Sequence, residues 1–136
     1  MPQPEFEWIG PAGPIARAVC RPQLDWLLEL LREGERPVAA AYEEDQTEEG
    51  NTYLHLLTGE RLFSTLNRHP GNEVRSWELA EIEMAEVGRK RFALVAELTV
   101  TARETSWAGR SRTLRFTRGR GDAERFAELL EACRRA

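Results

Sequence analysis

The segment from Arg91 to Arg103, RFALVAELTVTAR, alternates apolar and polar side chains along its whole length. A period of two residues is that of a β-strand with one buried face. The segment RSRTLRFTR, which follows a short turn, repeats the alternation. Pairing Val100 with Leu114 also brings Leu98 opposite Phe116, so the two segments predict an antiparallel hairpin. This hairpin restricts the chain to folds that contain an antiparallel sheet.

Five earlier segments also have the length and composition of strands, and they are residues 37–42, 52–57, 62–66, 74–79 and 81–87. A short loop with Gly59 in the left-handed conformation would place Leu56 opposite Leu62. In the last of these strands, Ile82 and Met84 are predicted to share a face. The predicted core consists of Leu54, Leu56, Leu62, Phe92, Leu94, Leu98, Val100, Leu114 and Phe116.

A predicted helix lies on each side of the strands. Four leucines recur at the spacing of one helical face and predict a helix over residues 22–33, and they are Leu24, Leu27, Leu28 and Leu31. Pro22 suits its first position. A second amphipathic helix is predicted over residues 122–134, with Asp122 as its N-cap. Residues 1–14 contain four prolines and two glycines and are predicted to form an extended arm, so residues 15–136 form a single predicted domain.

The order of these elements resembles the pleckstrin-homology (PH) superfold. Three stretches are similar to bacterial PH-like domains in particular, and they are LLREGERPVAAAY, LTGERLFSTLNR and SWELAEIEMAEVG. The resemblance covers about residues 22–135. It implies an α+β fold: a PH-like, seven-stranded antiparallel β-barrel with a C-terminal capping helix, to which this chain adds an N-terminal helix. It also implies a binding module without catalytic activity.

The stretch YEEDQTEEGN, residues 42–51, contains five carboxylates and no cation. PH domains that bind inositol phosphates place Lys and Arg around this loop, so the resemblance implies no phosphoinositide binding here, because like charges repel. A calcium site in residues 43–49 is the alternative. The spacing does not match that of an EF-hand loop, so we favour a solvated acidic loop.

Arginines are concentrated in the final hairpin, close to Trp107. A basic surface with an aromatic side chain is typical of nucleic-acid binding, which is the alternative function. The net charge of −4 and the carboxylates Glu97 and Glu104 argue against it. The candidate partner-binding residues are Trp26, Leu30, Arg103, Arg110, Arg112 and Arg115.

Chemical motifs do not support another function. His55 is predicted to lie on the strand face opposite to the core, and neither it nor His69 stands near a nucleophile. Cys20 and Cys133 fit reduced thiols better than a disulfide, and no spacing suggests a metal or cofactor site. No apolar run is long enough to span a bilayer, and no secretory signal is visible, which predicts a cytoplasmic protein.

The leucine stripe of the first helix needs an apolar partner, because the second helix already caps the predicted barrel. That partner is either the outside of the same barrel or the same helix in a second copy. Trp26 and Leu30 widen the stripe beyond one narrow contact, which favours a homodimer. The sequence therefore predicts a non-catalytic interaction module whose partner is a protein.

Overall fold

The computed structural model describes residues 6–10, 14–44, 52–68, 71–88, 95–103, 110–117 and 119–136. A five-stranded sheet consists of β1 (Glu7–Ile9), β2 (Pro37–Glu44), β3 (Thr52–Thr58), β4 (Arg61–Arg68) and β5 (Gly71–Glu78), in that order. A three-stranded sheet consists of β6 (Ile82–Val87), β7 (Ala96–Ala102) and β8 (Ser111–Phe116). The helices are α1 (Pro14–Glu29) and α2 (Arg120–Arg135), and a 3₁₀ turn, Leu79–Glu81, joins β5 to β6.

The predicted α+β class is confirmed, but a closed seven-stranded barrel does not form in the part of the chain described above. The strands form two separate sheets, and β1 is an additional strand that pairs in parallel with β2. Arg125 of α2 donates from Nε and Nη2 to the two carboxylate oxygens of Glu7, each at 2.8 Å, and so holds β1 in place. The division into an arm at 1–14 and a domain at 15–136 stays a prediction.

Strand β3, at the centre of the five-stranded sheet, is buried on both faces and carries large apolar side chains on each. Leu54 and Leu56 pack against α1, whereas Leu57 packs against the other sheet. The predicted pairing of Leu56 with Leu62 is therefore wrong, since Leu57 lies opposite Leu62. The φ angle of Gly59 is not positive, so the left-handed turn is also wrong.

Helix α1 begins before Pro22, which lies inside it, and it ends at Glu29 rather than at residue 33. Leu24 and Leu27 are buried against β2, β3 and β4 of the same chain. Leu30, just beyond the end of the helix, is 42% exposed. Most of the leucine stripe thus has an apolar partner within the chain.

In the three-stranded sheet the predicted pairing is displaced by two residues, because Leu98 and not Val100 lies opposite Leu114. A slip of two residues leaves every side chain on its face. The predicted burial of Leu98, Val100, Leu114 and Phe116 is accordingly confirmed, as is that of Leu54, Leu56 and Leu62. Phe92 and Leu94 lie outside the described residues.

A bulge in β6 between Ile82 and Met84 overturns the prediction that these side chains share a face. The extra residue turns the strand, so Ile82 is buried and Met84 is 51% exposed.

Helix α2 packs Ala123, Phe126 and Leu130 into the apolar cluster between the sheets. Its N-cap is Gly119, with a φ of 104°, and not Asp122, which lies in the first turn. Neither described helix is both long enough and apolar enough to cross a bilayer.

Candidate functional site

The space between the two sheets becomes more polar along the strands. One row across β2 to β5 is buried and apolar, and it consists of Ala39, Leu57, Leu62 and Trp77. The next row on this face consists of Ala41, His55, Ser64 and Arg75. We call this polar end the mouth, defined by Glu43, Tyr53, His55, Ser64, Arg75 and Arg112.

Three buried side chains in the mouth form a continuous hydrogen-bonded chain. Glu43 Oε2 lies 3.0 Å from His55 Nε2, and His55 Nδ1 lies 2.7 Å from Ser64 Oγ. Burial lowers the pKa of His55, and the positive charge of Arg112 lowers it further, against the opposing effect of Glu43. The imidazole is therefore neutral near pH 7. Since a carboxylate only accepts, Nε2–H donates to Glu43 and the Ser64 hydroxyl donates to Nδ1.

Glu43 also joins the two sheets, because its Oε2 accepts a hydrogen bond from the backbone N–H of Arg115 on β8 at 3.2 Å. A serine, a histidine and a carboxylate in sequence resemble the parts of a nucleophile system. Here, however, the carboxylate holds a strand of the opposite sheet and the imidazole is 1% exposed. We interpret the chain as the polar connection between the sheets.

A small cleft opens beside this connection, lined by Ser64, Thr65, Glu73, Arg75 and Arg112. The guanidinium carbon of Arg112 lies 4.8 Å from the centre of the Tyr53 ring. Within the described part of the chain, the buried Nε of Arg112 has no hydrogen-bond partner. The cleft has a volume of about 80 Å³. Pockets that enclose small-molecule ligands measure roughly 300–1,000 Å³, so this cleft fits one side chain or a few waters.

A second polar cluster, the Glu35 cluster of Glu35, Thr58 and Arg61, lies at the other end of β3. The Glu35 carboxylate is 0% exposed and accepts from Thr58 Oγ1 at 2.6 Å and from Arg61 Nε at 3.0 Å. Burial disfavours its ionised form, but hydrogen bonds from Arg61, Thr58 and the Arg32 backbone N–H outweigh this and hold the pKa of Glu35 at about 2. Arg61 also donates to the Leu30 carbonyl, so the cluster fastens the chain after α1 to the β3–β4 hairpin.

The predicted site residues do not form one surface. Trp26 and Leu30 belong to the α1 side of the five-stranded sheet, whereas Arg112 lies in the mouth on its other side. Arg103, Arg110 and Arg115 are exposed on the three-stranded sheet or at its ends, and Arg115 Nε lies 4.0 Å from Glu97. Trp107 and Glu104 lie outside the described residues.

Two expectations about the mouth are wrong. Glu43 was grouped with a solvated acidic loop, but it is buried and hydrogen-bonded, while residues 45–51 lie outside the described part of the chain. His55 was placed on the face away from the core, but it is buried as well. The sequence does contain a signal for the burial of His55. The run YLHLL places large side chains on both faces of β3, which is typical of a strand that is covered on both sides.

The described residues contain no group of three or more His, Cys, Asp or Glu side chains that could hold a metal ion. This leaves the mouth, with its two guanidinium groups and its small cleft, as the candidate binding site. Its chemistry is that of hydrogen bonding and charge complementarity.

No protein-family model matches the chain, and neither does any curated protein sequence. Solved structures do share its arrangement. A DUF1696 family protein with a pleckstrin-homology domain from Shewanella loihica is 15% identical, with a TM-score of 0.56 over 84% of this chain and 95% of that one. The Vps36 N-terminal PH domain is 16% identical, with a TM-score of 0.54 over 77% of this chain and 83% of that one.

The hSac2 domain from the human phosphoinositide phosphatase Sac2 is 15% identical, with a TM-score of 0.59 over 91% of this chain and 85% of that one. At such identities the likeness concerns the fold alone. It confirms that the fold is PH-like, although the strands form two sheets of five and three strands and not the predicted seven-stranded barrel.

Proposed function

We propose that this PH-like domain is a non-catalytic interaction module that binds a protein partner and does not bind phosphoinositides. The main support is the mixed charge of the mouth, where Glu43 and Glu73 lie among the same residues as Arg75 and Arg112. A headgroup with several phosphates would meet carboxylates as well as guanidinium groups, and it would exceed the volume of the cleft. A single side chain of a protein meets neither obstacle. A cytoplasmic location stays a prediction.

We expect inositol phosphates not to bind at the acidic stretch of residues 42–51. The measurement is an NMR titration of the labelled protein with soluble inositol 1,4,5-trisphosphate, following the amides of residues 42–52. The expected result is the absence of saturable shifts at micromolar concentrations. A variant in which Glu48 and Glu49 are replaced by Lys is the matched comparison, since charge alone should then allow weak, salt-sensitive binding. Saturable micromolar shifts in the unmodified chain would refute the proposal.

The predicted homodimer now rests on fewer residues. Leu24 and Leu27 pack within their own chain, whereas Trp26 is partly exposed and Leu30 is exposed, so these two side chains are available for a contact with a second copy. If the dimer forms, the substitution Leu30→Glu should shift it at least tenfold towards monomer by light scattering. Met84→Glu is the control, because Met84 is also an exposed apolar side chain but lies on β6 of the three-stranded sheet. An unmodified chain that is monomeric at high micromolar concentration excludes the dimer.

Nucleic-acid binding stays the alternative, supported by the exposed guanidinium groups of Arg103, Arg110 and Arg115. The ion pair of Arg115 with Glu97 and the net charge of −4 weaken it. The two functions differ in salt dependence, because phosphate contacts release counterions. Binding to DNA or RNA that falls steeply as salt rises would favour the alternative over a protein partner.

A further inference from the structure

We propose that the cleft of the mouth binds one carboxylate, presented by an acidic side chain of the partner protein, and that Arg112 is its principal donor. This inference rests on the proposed function, since it names the group that a protein partner would insert. Three observations support it: an unsatisfied donor, a guanidinium group placed over an aromatic ring, and the size of the cleft.

The unsatisfied donor is Arg112 Nε, which is buried and has no hydrogen-bond partner among the residues that the structure describes. Leaving a buried N–H without an acceptor costs free energy that a bound acceptor would recover. Arg112 carries a permanent positive charge, so an ionised acceptor gains more than a neutral one. The neighbouring His55 is neutral near pH 7 and donates towards Glu43 and not into the cleft.

The guanidinium group of Arg112 lies over the ring of Tyr53, whose centre is 4.8 Å from the guanidinium carbon. An arginine that contacts an aromatic ring through its face can still donate from its edge to an acceptor in its own plane. A carboxylate matches that edge with two parallel hydrogen bonds. Arg75 lines the same cleft and adds a second positive charge on its exposed side.

Size favours a carboxylate on a side chain over a headgroup that carries several phosphates. About 80 Å³ admits the end of one side chain, while the rest of the ligand stays outside. A single acidic side chain on a protein surface meets this limit of size.

The test uses a blocked nonapeptide of glycine and serine with one central Glu, and a second peptide with Gln in its place. The readouts are the Arg112 Nε–Hε resonance and the backbone amides of Ser64 and Arg75. We expect the Glu peptide to cause saturable shifts and to bind at least tenfold more tightly than the Gln peptide.

The substitution Arg112→Gln should abolish the shifts. Arg115→Gln, on the outer face of the same strand, should leave them unchanged. If Arg112→Gln does not fold, Arg112→Lys replaces it, and binding should weaken because the planar donor edge is lost.

Equal shifts with both peptides, or none, would overturn the carboxylate site and leave a protein partner to bind elsewhere on the domain. Inositol 1,4,5-trisphosphate is the third ligand. Saturable binding of this compound at the Arg112 resonance, tighter than that of the Glu peptide, would overturn both this inference and the proposed function.

Discussion

Replacing Glu35 with Gln should lower the free energy of unfolding by about 3–5 kcal/mol, the cost of removing one partner from a buried ion pair. The Glu35 carboxylate is 0% exposed and the Arg61 side chain is 13% exposed, so little water can replace the lost charge. The Gln side chain keeps the shape and one acceptor, but it leaves the Arg61 guanidinium group without its counter-charge. Chemical denaturation at pH 7 measures the change.

The control is Glu60→Gln in the same hairpin. Glu60 pairs with Arg32 at 3.5 Å, but its side chain is 45% exposed, and exposed pairs contribute roughly 0–1 kcal/mol. A loss of less than about 1 kcal/mol for Glu35→Gln would show that the Glu35 cluster does not hold the chain after α1 to the β3–β4 hairpin. A double-mutant cycle with Arg61→Met separates the ion pair from the hydrogen bond that Thr58 donates.

Lowering the pH should remove the stabilisation that the ionised Glu35 carboxylate provides. The pKa of Glu35 is lowered from its ordinary 4.5 to about 2, so the unfolded chain takes up this proton first as the pH falls. The stabilisation is complete above pH 4.5 and is lost between pH 4.5 and about 2. A difference of this size corresponds to roughly 3 kcal/mol, since each pH unit is about 1.4 kcal/mol. The Glu35→Gln variant should lack this step of the acid titration.

The periodic pattern of the sequence determines the strands and their buried faces, but not how the strands pair. Alternation identified the long strands and their buried faces, because the period of two is local to each strand. The pairing of Val100 with Leu114 failed, because a slip of two residues keeps both faces and the turn between the strands gives no strong signal. The alternation of side chains therefore does not determine the register of the hairpin.

Polar residues in the core caused the remaining errors. Glu43 belongs to an acidic run, which predicts a solvated loop, and His55 alternates with Leu54 and Leu56, which predicts the face opposite to the core. Glu43 is buried because it bonds to His55, 12 residues away along the chain, and to the backbone N–H of Arg115, 72 residues away. Such partners meet only once the two sheets are packed. Arg112 could be selected as a candidate from its charge, but its contact with Tyr53 could not.

His55 should make the domain lose stability as the pH falls below about 6.5. Its pKa is lowered from the ordinary 6.5, chiefly by burial, so the unfolded chain binds a proton at a pH where the folded chain does not. The free energy of unfolding is therefore highest above pH 6.5 and falls as the pH drops towards the lowered pKa. For one proton the slope reaches about 1.4 kcal/mol per pH unit.

The substitution His55→Gln removes the titrating group and retains a donor that can reach Glu43. We expect it to cost about 1–2 kcal/mol at pH 7, because Ser64 loses its acceptor, and to flatten the fall in stability below about pH 6.5. His69→Gln is the control, since His69 is the other of the two histidines. Denaturation curves at half-unit intervals of pH give the slope.

If the slope survives His55→Gln and disappears with His69→Gln, the pH dependence does not arise at the buried Glu43–His55–Ser64 chain. A slope lost only with His55 shows instead that the polar connection between the sheets requires a neutral imidazole. The mouth then keeps its geometry only above the pH range in which His55 becomes protonated, and the carboxylate site beside it should weaken over the same range.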